Sequence, residues 1–177
     1  MRELIVGGAR SGKSSLALQR ALMSDKEVVY VATAHAGDAE MQARIEQHRS
    51  ERPVQWQTVE CQQRLADCLL SLDGSRRCII VDCLTLWLSN VLFSEIAAQL
   101  QEQAWQQQRD ALLHCLPRLQ GDIVLVSNEV GLGIVPDNAL ARHFRDEQGW
   151  LNQVVARCCE RVTLVAAGLP LTLKCPT

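Results

Sequence analysis

Residues 7–14 read Gly7-Gly8-Ala9-Arg10-Ser11-Gly12-Lys13-Ser14, which fits the P-loop pattern G-x-x-x-x-G-K-[ST] in full. The apolar run Leu4-Ile5-Val6 before this stretch predicts a buried strand. After it, the helical spacing of apolar residues from Ser14 to Met23 predicts a helix. A strand, this loop and a helix, in that order, are the setting in which the pattern binds phosphate groups. We therefore predict that the chain binds a nucleoside triphosphate.

The residue types of the loop explain why it would bind phosphates. Glycines allow the backbone to turn tightly, so that amide groups and the helix N-terminus point at phosphate oxygens. Lys13 can reach the β- and γ-phosphates, and the hydroxyl of Ser14 can ligate Mg²⁺. Asp82 ends the apolar run Cys78-Ile79-Ile80-Val81, and we expect it to hold the same ion from a neighbouring strand. An aspartate at a strand end is otherwise often a turn or capping residue.

The rest of the chain alternates short apolar runs with helical patterns. The further predicted strands are Val28–Thr33, Cys78–Asp82, Ile123–Ser127 and Val162–Ala166. The predicted helices between them span 38–49, Cys61–Leu72 and Ile96–Leu119. This alternation is typical of a parallel sheet that is covered on both faces. The sequence thus predicts one α/β domain of the P-loop NTPase type over residues 1–174, with a mostly parallel sheet, helices on both faces and a disordered tail at 175–177.

Composition narrows the classes of function. With 177 residues and a formal net charge of −2, the chain has the size of one domain and no basic excess for nucleic acid. No apolar run approaches the ~18–20 residues that a membrane span needs. The eight cysteines show no C-x-x-C spacing, and no secretory signal precedes the first strand. We therefore expect reduced, mostly buried thiols and a cytoplasmic location.

The residues that come directly after the predicted strands narrow the class of P-loop protein. A switch GTPase needs an Asn-Lys-x-Asp motif and an Asp-x-x-Gly after the metal strand, whereas here Cys83-Leu84-Thr85 follows Asp82 and Glu129 follows Asn128. A small-molecule kinase remains open on the residues alone. So does a nucleotide-dependent regulator without turnover, although the missing GTPase motifs count against it.

Further motifs occur in a fixed order along the chain. They are Arg44-Ile45-x-x-His48-Arg49-x-x-Arg52-Pro53, Trp56-x-Thr58-x-Glu60, Val81-Asp82-Cys83-Leu84-Thr85 with Asn90, Ser127-Asn128-Glu129-Val130-Gly131-x-Gly133-Ile134-Val135-Pro136, Ala141-Arg142-x-Phe144-Arg145-Asp146-x-x-Gly149-x-x-Asn152-Gln153 and Ala167-Gly168-Leu169-Pro170. With the P-loop, they resemble the bifunctional adenosylcobinamide kinase / adenosylcobinamide-phosphate guanylyltransferase family over nearly the whole chain. The resemblance is far more specific than the P-loop alone.

That resemblance implies two reactions in assembly of the cobalamin nucleotide loop. A nucleoside triphosphate, ATP or GTP, first phosphorylates the aminopropanol hydroxyl of adenosylcobinamide. GTP then donates GMP to that phosphate, through a GMP–histidine intermediate, and adenosylcobinamide-GDP and pyrophosphate are formed. The resemblance also implies a homo-oligomer, and the P-loop with Asp82 predicts Mg²⁺ as cofactor. A monofunctional guanylyltransferase and a P-loop kinase of another small alcohol stay as alternatives.

The resemblance matches the intermediate to His48, and a neutral imidazole is a good nucleophile near pH 7. A surface histidine on a helix is the alternative for that residue. Arg49 and Arg52 could neutralise phosphate charge, and Ser50 and Glu51 between them are included in the predicted nucleotide site. The remaining histidines, 35, 114 and 143, are weaker candidates.

Guanine needs an acceptor for its N1–H and 2-amino groups, and we expect the Glu60 carboxylate to accept both hydrogen bonds. A capping role before the predicted helix at Cys61 is the alternative for Glu60. Val31, Ala32 and Thr33 end a predicted strand and are expected to add nucleotide contacts. The residues expected to serve either the corrinoid or a subunit contact, two roles the sequence does not separate, are Asn128, Glu129, Arg142, Arg145 and Asp146.

Overall fold

A computed structural model of the chain describes residues 1–35, 39–50, 52–94 and 98–176, without the side chains of residues 39–41, 44, 47, 48 and 98–100. The strands are β1 (Arg2–Gly7), β2 (Glu27–Ala32), β3 (Gln57–Glu60), β4 (Arg77–Asp82), β5 (Asp122–Asn128), β6 (Arg161–Ala166) and β7 (Leu169–Lys174). The helices are α1 (Lys13–Leu22), α2 (Ala39–Ser50), α3 (Leu65–Leu72), α4 (Leu84–Leu92), α5 (Ala98–Cys115) and α6 (Ala139–Cys158). All strands and helices that the sequence predicts are present, with shifted ends. In the described part of the chain, every helix is too short or too polar to cross a membrane.

The described strands form one seven-stranded sheet in the order β3-β2-β4-β5-β1-β6-β7. Every neighbouring pair is parallel except β6 and β7, which are antiparallel. The parallel strands β1 to β6 therefore end at one edge of the sheet, which we call the carboxyl edge. The residues that end these strands there are Gly7, Ala32, Glu60, Asp82, Asn128 and Ala166. Open α/β sheets bind their ligands at this edge.

The structure corrects the expected position of Asp82 relative to the P-loop strand. Strand β4 does not neighbour β1, because β5 lies between them. Gly7 pairs with Asn128 of β5, and Asp82 pairs with Val126 of the same strand. The order of strands depends on long-range pairing, which the local pattern of β4 does not contain.

Both faces of the sheet are covered, as the sequence predicts. On one face, side chains of β1, β4 and β5 pack with the helices α3, α4, α5 and α6. Trp87 and Trp105 are fully buried there and meet edge to face, with ring centroids 5.3 Å apart. On the other face, Ala17 and Ala21 of α1 pack against a second cluster that includes Tyr30. The small alanine side chains let α1 lie close to the sheet, directly after the P-loop.

Two of the described strands and two of the described helices are absent from the sequence-based prediction. Strand β3 is a short edge strand of mostly exposed polar residues, so it lacks the apolar run that marks a buried strand. Strand β7 is the other edge strand; all its residues are exposed and it contains Pro170, which edge strands tolerate. Helix α4 follows β4 with no glycine or proline to mark a boundary, and α6 begins at Ala139 behind the capping side chain of Asn138.

Candidate nucleotide and group-transfer site

The P-loop has the backbone geometry that the glycine positions predict. Gly12 caps the N-terminus of α1 with φ 97°, a left-handed conformation that a side chain would strain. A Cβ atom on Gly7 would lie 2.5 Å from both the Ser11 hydroxyl oxygen and the Val165 carbonyl oxygen. The loop therefore needs glycine at both ends to wrap tightly between β1 and α1.

Lys13 and Ser11 present polar groups inside the loop. The Lys13 side chain is buried, and its Nζ donates a hydrogen bond of 3.0 Å to the Gly8 carbonyl oxygen. Burial lowers the pKa of the Lys13 ammonium, while Cys83 and Asp82 oppose that shift. The buried Ser11 hydroxyl has no hydrogen-bond partner among the described residues. A hydroxyl without a partner and a buried ammonium in the same loop suit an incoming phosphate, which can accept hydrogen bonds from both.

Asp82 ends β4 close enough to Lys13 for its charge to act on that ammonium. Its carboxylate accepts a hydrogen bond of 2.8 Å from the Tyr30 hydroxyl at Oδ2. Asp82 and the hydroxyl of Ser14, which lies half-buried in the first turn of α1, offer the hard oxygen ligands that Mg²⁺ prefers. No cluster of three His, Cys, Asp or Glu that could hold a metal exists among the described residues. One carboxylate and one hydroxyl fit an ion whose other ligands are substrate phosphates and water.

The residues at the end of β2, which the sequence predicts to contact the nucleotide, mostly contact other parts of the protein. Val31 is fully buried in the core. The Thr33 hydroxyl bonds both the carbonyl oxygen and the amide of Cys83, at 2.7 and 2.8 Å. The Thr33 amide donates to the Asp82 carbonyl oxygen at 3.2 Å, and the side chain of Asn90 donates to the Thr33 carbonyl oxygen at 2.8 Å. Thr33 thus joins β2 to β4 directly beside Asp82.

The segment predicted to carry the nucleophile lies on α2. His48 is in the last turn of this helix, and its side chain lies outside the described residues. Glu51 also lies outside them, and Arg49 and Ser50 are exposed. Two residues after the helix, the guanidinium carbon of Arg52 lies 3.5 Å from the centroid of the Tyr30 ring. Arg52 is therefore close to the hydroxyl group that bonds Asp82.

Glu60 lies exposed at the end of β3, where it pairs with Ala32 of β2. The structure brings it to the carboxyl edge, together with the P-loop and Asp82. The alternative role of Glu60 as a helix cap is wrong, because α3 begins at Leu65 with Arg64 as its capping residue. The predicted start of that helix at Cys61 is wrong for the same reason. A shallow pocket of about 410 Å³ borders Glu60, and its other lining residues are Cys61, Arg64, Asp67, Cys68 and Ser71.

The basic residues Arg142 and Arg145 of α6 make local contacts, within the helix or with the turn before it. Arg142 donates to the carbonyl oxygens of Pro136 and Asp137, at 2.9 and 2.6 Å, and so orders the turn before the helix. Arg145 pairs with Asp146 at 2.8 Å, and both line a pocket of about 280 Å³ with Trp150. Each of the three histidines outside α2 has a partner within the protein. His35 contacts Gln62, His114 contacts the Asp110 carbonyl oxygen, and His143 lies 3.5 Å from Glu102.

Sequence reasoning missed Tyr30. It is the chain's single tyrosine, and it interrupts an otherwise aliphatic strand. A polar aromatic tip within a buried strand needs a hydrogen-bond partner, and this need is the signal that the sequence contains. The partner itself is not readable from the sequence, because it depends on the pairing of β2 with β4.

Known proteins are similar to this chain over nearly its whole length. A family model described as cobinamide kinase / cobinamide phosphate guanyltransferase matches residues 3–173. The bifunctional adenosylcobalamin biosynthesis protein CobP of Pseudomonas aeruginosa is 52% identical over 174 residues, which cover 98% of each chain. The bifunctional adenosylcobalamin biosynthesis protein CobU of Escherichia coli is 40% identical over 183 residues, covering 98% of this chain and 100% of its own. The CobU protein of Salmonella typhimurium is also 40% identical, over 186 residues, with the same coverage.

Proposed function

The chain belongs to the cobinamide kinase / cobinamide phosphate guanyltransferase family, and from that membership we propose how its residues divide the two reactions. It is a bifunctional enzyme of cobalamin biosynthesis that phosphorylates adenosylcobinamide and then transfers a guanylyl group to the phosphate. The observation that carries the assignment of residues is the P-loop itself: the Lys13 ammonium is buried within range of the Asp82 charge, and the buried Ser11 hydroxyl has no hydrogen-bond partner among the described residues.

In the kinase reaction, the corrinoid hydroxyl attacks the γ-phosphorus of the nucleoside triphosphate and releases its proton to water. The bond between the γ-phosphorus and the β-phosphate oxygen breaks, and the nucleoside diphosphate leaves. Lys13 and the N-terminus of α1 stabilise the negative charge that moves onto the leaving oxygen. The loop amides orient the triphosphate, and the tight wrap at Gly7 and Gly12 keeps those amides close to it.

Mg²⁺ belongs to this proposal as the cofactor of both reactions. When bound, the ion supplies positive charge at the phosphates, and the Ser14 hydroxyl and the Asp82 carboxylate are the residues that would hold it. The hydrogen bond from Tyr30 takes one carboxylate oxygen, Oδ2, and leaves Oδ1 available.

In the guanylyl transfer, the imidazole of His48 attacks the α-phosphorus of GTP and pyrophosphate leaves. An oxygen of adenosylcobinamide phosphate then attacks the same phosphorus, the P–N bond breaks, and His48 is regenerated. Arg49 and Arg52 neutralise charge on the transferred phosphate. The contact of Arg52 with Tyr30 supports this role, because it holds the segment after α2 near Asp82.

Selection of guanine is assigned to Glu60, whose carboxylate accepts hydrogen bonds from N1–H and the 2-amino group. Its exposed position at the carboxyl edge supports the assignment, since the side chain is free of the sheet interior. The enzyme is further proposed to act in the cytoplasm as a homo-oligomer. The loop after β5 supports this association, because Leu132, Ile134 and Val135 are 86%, 98% and 59% exposed.

Two separate assays test the proposed division. Kinase activity is measured with adenosylcobinamide and ATP, and guanylyl transfer with adenosylcobinamide phosphate and GTP. His48→Ala is expected to abolish the second activity and to keep the first. Lys13→Ala is expected to lose the first by roughly 10²–10³-fold in kcat. His114→Ala, on an exposed face of α5, is the matched histidine control and should keep both. Loss of kinase activity in folded His48→Ala, or guanylyl transfer retained there, would contradict the division.

A further inference from the structure

Tyr30 contacts two residues of the proposed site, Asp82 and Arg52. Its side chain is 3% exposed, within the cluster that also holds Ala17 and Ala21 of α1. Its hydroxyl donates to Oδ2 of Asp82 at 2.8 Å, and the face of its ring lies 3.5 Å from the guanidinium carbon of Arg52. One rigid aromatic side chain therefore touches both the proposed metal ligand and the segment that follows His48.

The hydrogen bond fixes the orientation of the Asp82 carboxylate. An aspartate carboxylate at a strand end rotates readily about its last side-chain bond, because that torsion has a broad energy profile. Donation to Oδ2 from a buried hydroxyl selects one orientation and leaves Oδ1 as an acceptor that no described residue uses. The ring packs in the same cluster as α1, so the carboxylate is also fixed relative to the helix that carries Lys13 and Ser14.

The contact of Arg52 with the Tyr30 ring holds the chain directly after α2. Arg52 comes four residues after His48 and two after the end of α2. Its Nε is buried and has no hydrogen-bond partner among the described residues, and its guanidinium carbon lies over the face of the Tyr30 ring. Guanidinium groups stack favourably on aromatic faces, and more strongly when water is excluded.

We infer that Tyr30 is a positioning residue for both reactions: its hydroxyl orients Asp82 for the metal-dependent kinase step, and its ring docks Arg52 so that His48 meets the nucleotide. This inference rests on the proposed roles of Asp82 and His48. The two functions of Tyr30 can be tested separately, because Tyr30→Phe keeps the ring and removes only the hydroxyl.

The test compares Tyr30→Phe, Arg52→Ala and Asp82→Asn with the full-length enzyme. The first readout is the affinity for ATP, measured by calorimetry without turnover over a range of Mg²⁺ concentrations. The Mg²⁺ midpoint is the concentration at which half of the metal-dependent increase in ATP affinity is reached. The affinity for ATP is also measured in the absence of metal. The second readout is the rate at which GTP labels the protein. Thermal unfolding of each variant serves as the folding control.

Tyr30→Phe is expected to raise the Mg²⁺ midpoint roughly tenfold, which is the scale of one lost hydrogen bond to a charged group. Its metal-free ATP affinity and its labelling rate at saturating Mg²⁺ should stay within about twofold of the parent enzyme. Arg52→Ala should show the reverse pattern, with slower labelling and an unchanged Mg²⁺ midpoint. Arg52→Lys should restore little, because an ammonium lacks the planar stacking surface.

Two failures are distinguishable. If Asp82→Asn raises the Mg²⁺ midpoint and Tyr30→Phe leaves it unchanged, while lowering only the unfolding temperature, Tyr30 is a core residue and the inference is wrong. If Asp82→Asn itself leaves the midpoint unchanged, the proposed metal role of Asp82 is wrong, and the inference falls with it.

Discussion

The backbone amide of Gly168 donates a hydrogen bond of 2.9 Å to the carbonyl oxygen of Ser11, and so joins the turn between β6 and β7 to the P-loop. Ala167 and Gly168 both have left-handed conformations in this turn, with φ of 52° and 78°. A Cβ atom on Gly12 would lie 3.2 Å from the Cα of Gly168. The antiparallel hairpin of β6 and β7 thus braces the loop that is proposed to bind the phosphates.

This brace predicts that Gly12→Ala weakens the binding of both ATP and GTP by tenfold or more. Alanine at φ 97° costs roughly 1–2 kcal/mol, and its Cβ would also push against the Gly168 backbone. Isothermal calorimetry measures both affinities. Gly74→Ala is the matched control, since its Cβ would make only ordinary contacts with Arg77, 3.7 and 3.9 Å away. Parent-like nucleotide affinity in Gly12→Ala would show that the brace does not shape the loop.

Lys13 is expected to lower the stability of the nucleotide-free protein. Burial of its ammonium is unfavourable without a phosphate partner, and the lowered pKa reflects that cost. Lys13→Met, which keeps the length and removes the charge, should therefore raise the unfolding temperature of the nucleotide-free protein by ~2–4 °C, or about 1 kcal/mol. The same variant should lose the stabilisation that ATP gives. Differential scanning calorimetry with and without ATP tests this, and a clear drop without nucleotide would contradict it.

The proposed role of Glu60 is tested by comparing GTP with inosine triphosphate, whose base lacks the 2-amino group. The parent enzyme should prefer GTP by at least tenfold in kcat/KM for guanylyl transfer, the scale of one hydrogen bond to a carboxylate. Glu60→Ala should remove most of that preference, because neither base then has an acceptor. The kinase reaction with ATP provides the control and should be unaffected. A preference for GTP that survives in Glu60→Ala would assign guanine reading to another group.

At the opposite edge of the sheet, Glu160 forms a paired contact with the side chain and backbone of Arg2. The side-chain hydrogen bond from Arg2 is the largest cause of its lowered pKa, about 2 against an ordinary 4.5. Because the folded pKa is depressed, the stabilisation is present above pH 4.5 and is lost as the pH falls toward 2.

Glu160→Gln should therefore lower the free energy of unfolding by about 1 kcal/mol at pH 7, a figure reduced for the partial exposure of the pair. The difference from the parent protein should shrink steadily below pH 4.5 and vanish near pH 2. Chemical denaturation at several pH values measures it. Both enzyme activities should be unchanged, since this contact joins the starts of β1 and β6, away from the carboxyl edge. A difference that stays constant with pH would contradict the assignment to ionised Glu160.

The sequence predicts the parts of the fold that have a local signal. Aliphatic runs identify β1, β2, β4, β5 and β6, because buried parallel strands have apolar side chains on both faces. The edge strands lack that signal, and so does the placement of β5 between β1 and β4, which arises from pairing between distant segments. The candidate site residues also differ in whether a local sequence signal predicts them. The role of Lys13 is predicted from its motif, whereas the proposed role of Tyr30 depends on the strand pairing that puts it beside Asp82.

The proposal that one P-loop domain carries GMP on His48 between its two substrates is tested most directly by labelling. The purified protein is incubated with Mg²⁺ and GTP labelled at the α-phosphate, and the labelled chain is then treated with acid or alkali. We predict a label that acid removes and alkali does not, that is absent from His48→Ala and present in His114→Ala, and that adenosylcobinamide phosphate discharges. Absence of the label in a protein that still binds GTP, or its retention in His48→Ala, would contradict the proposal.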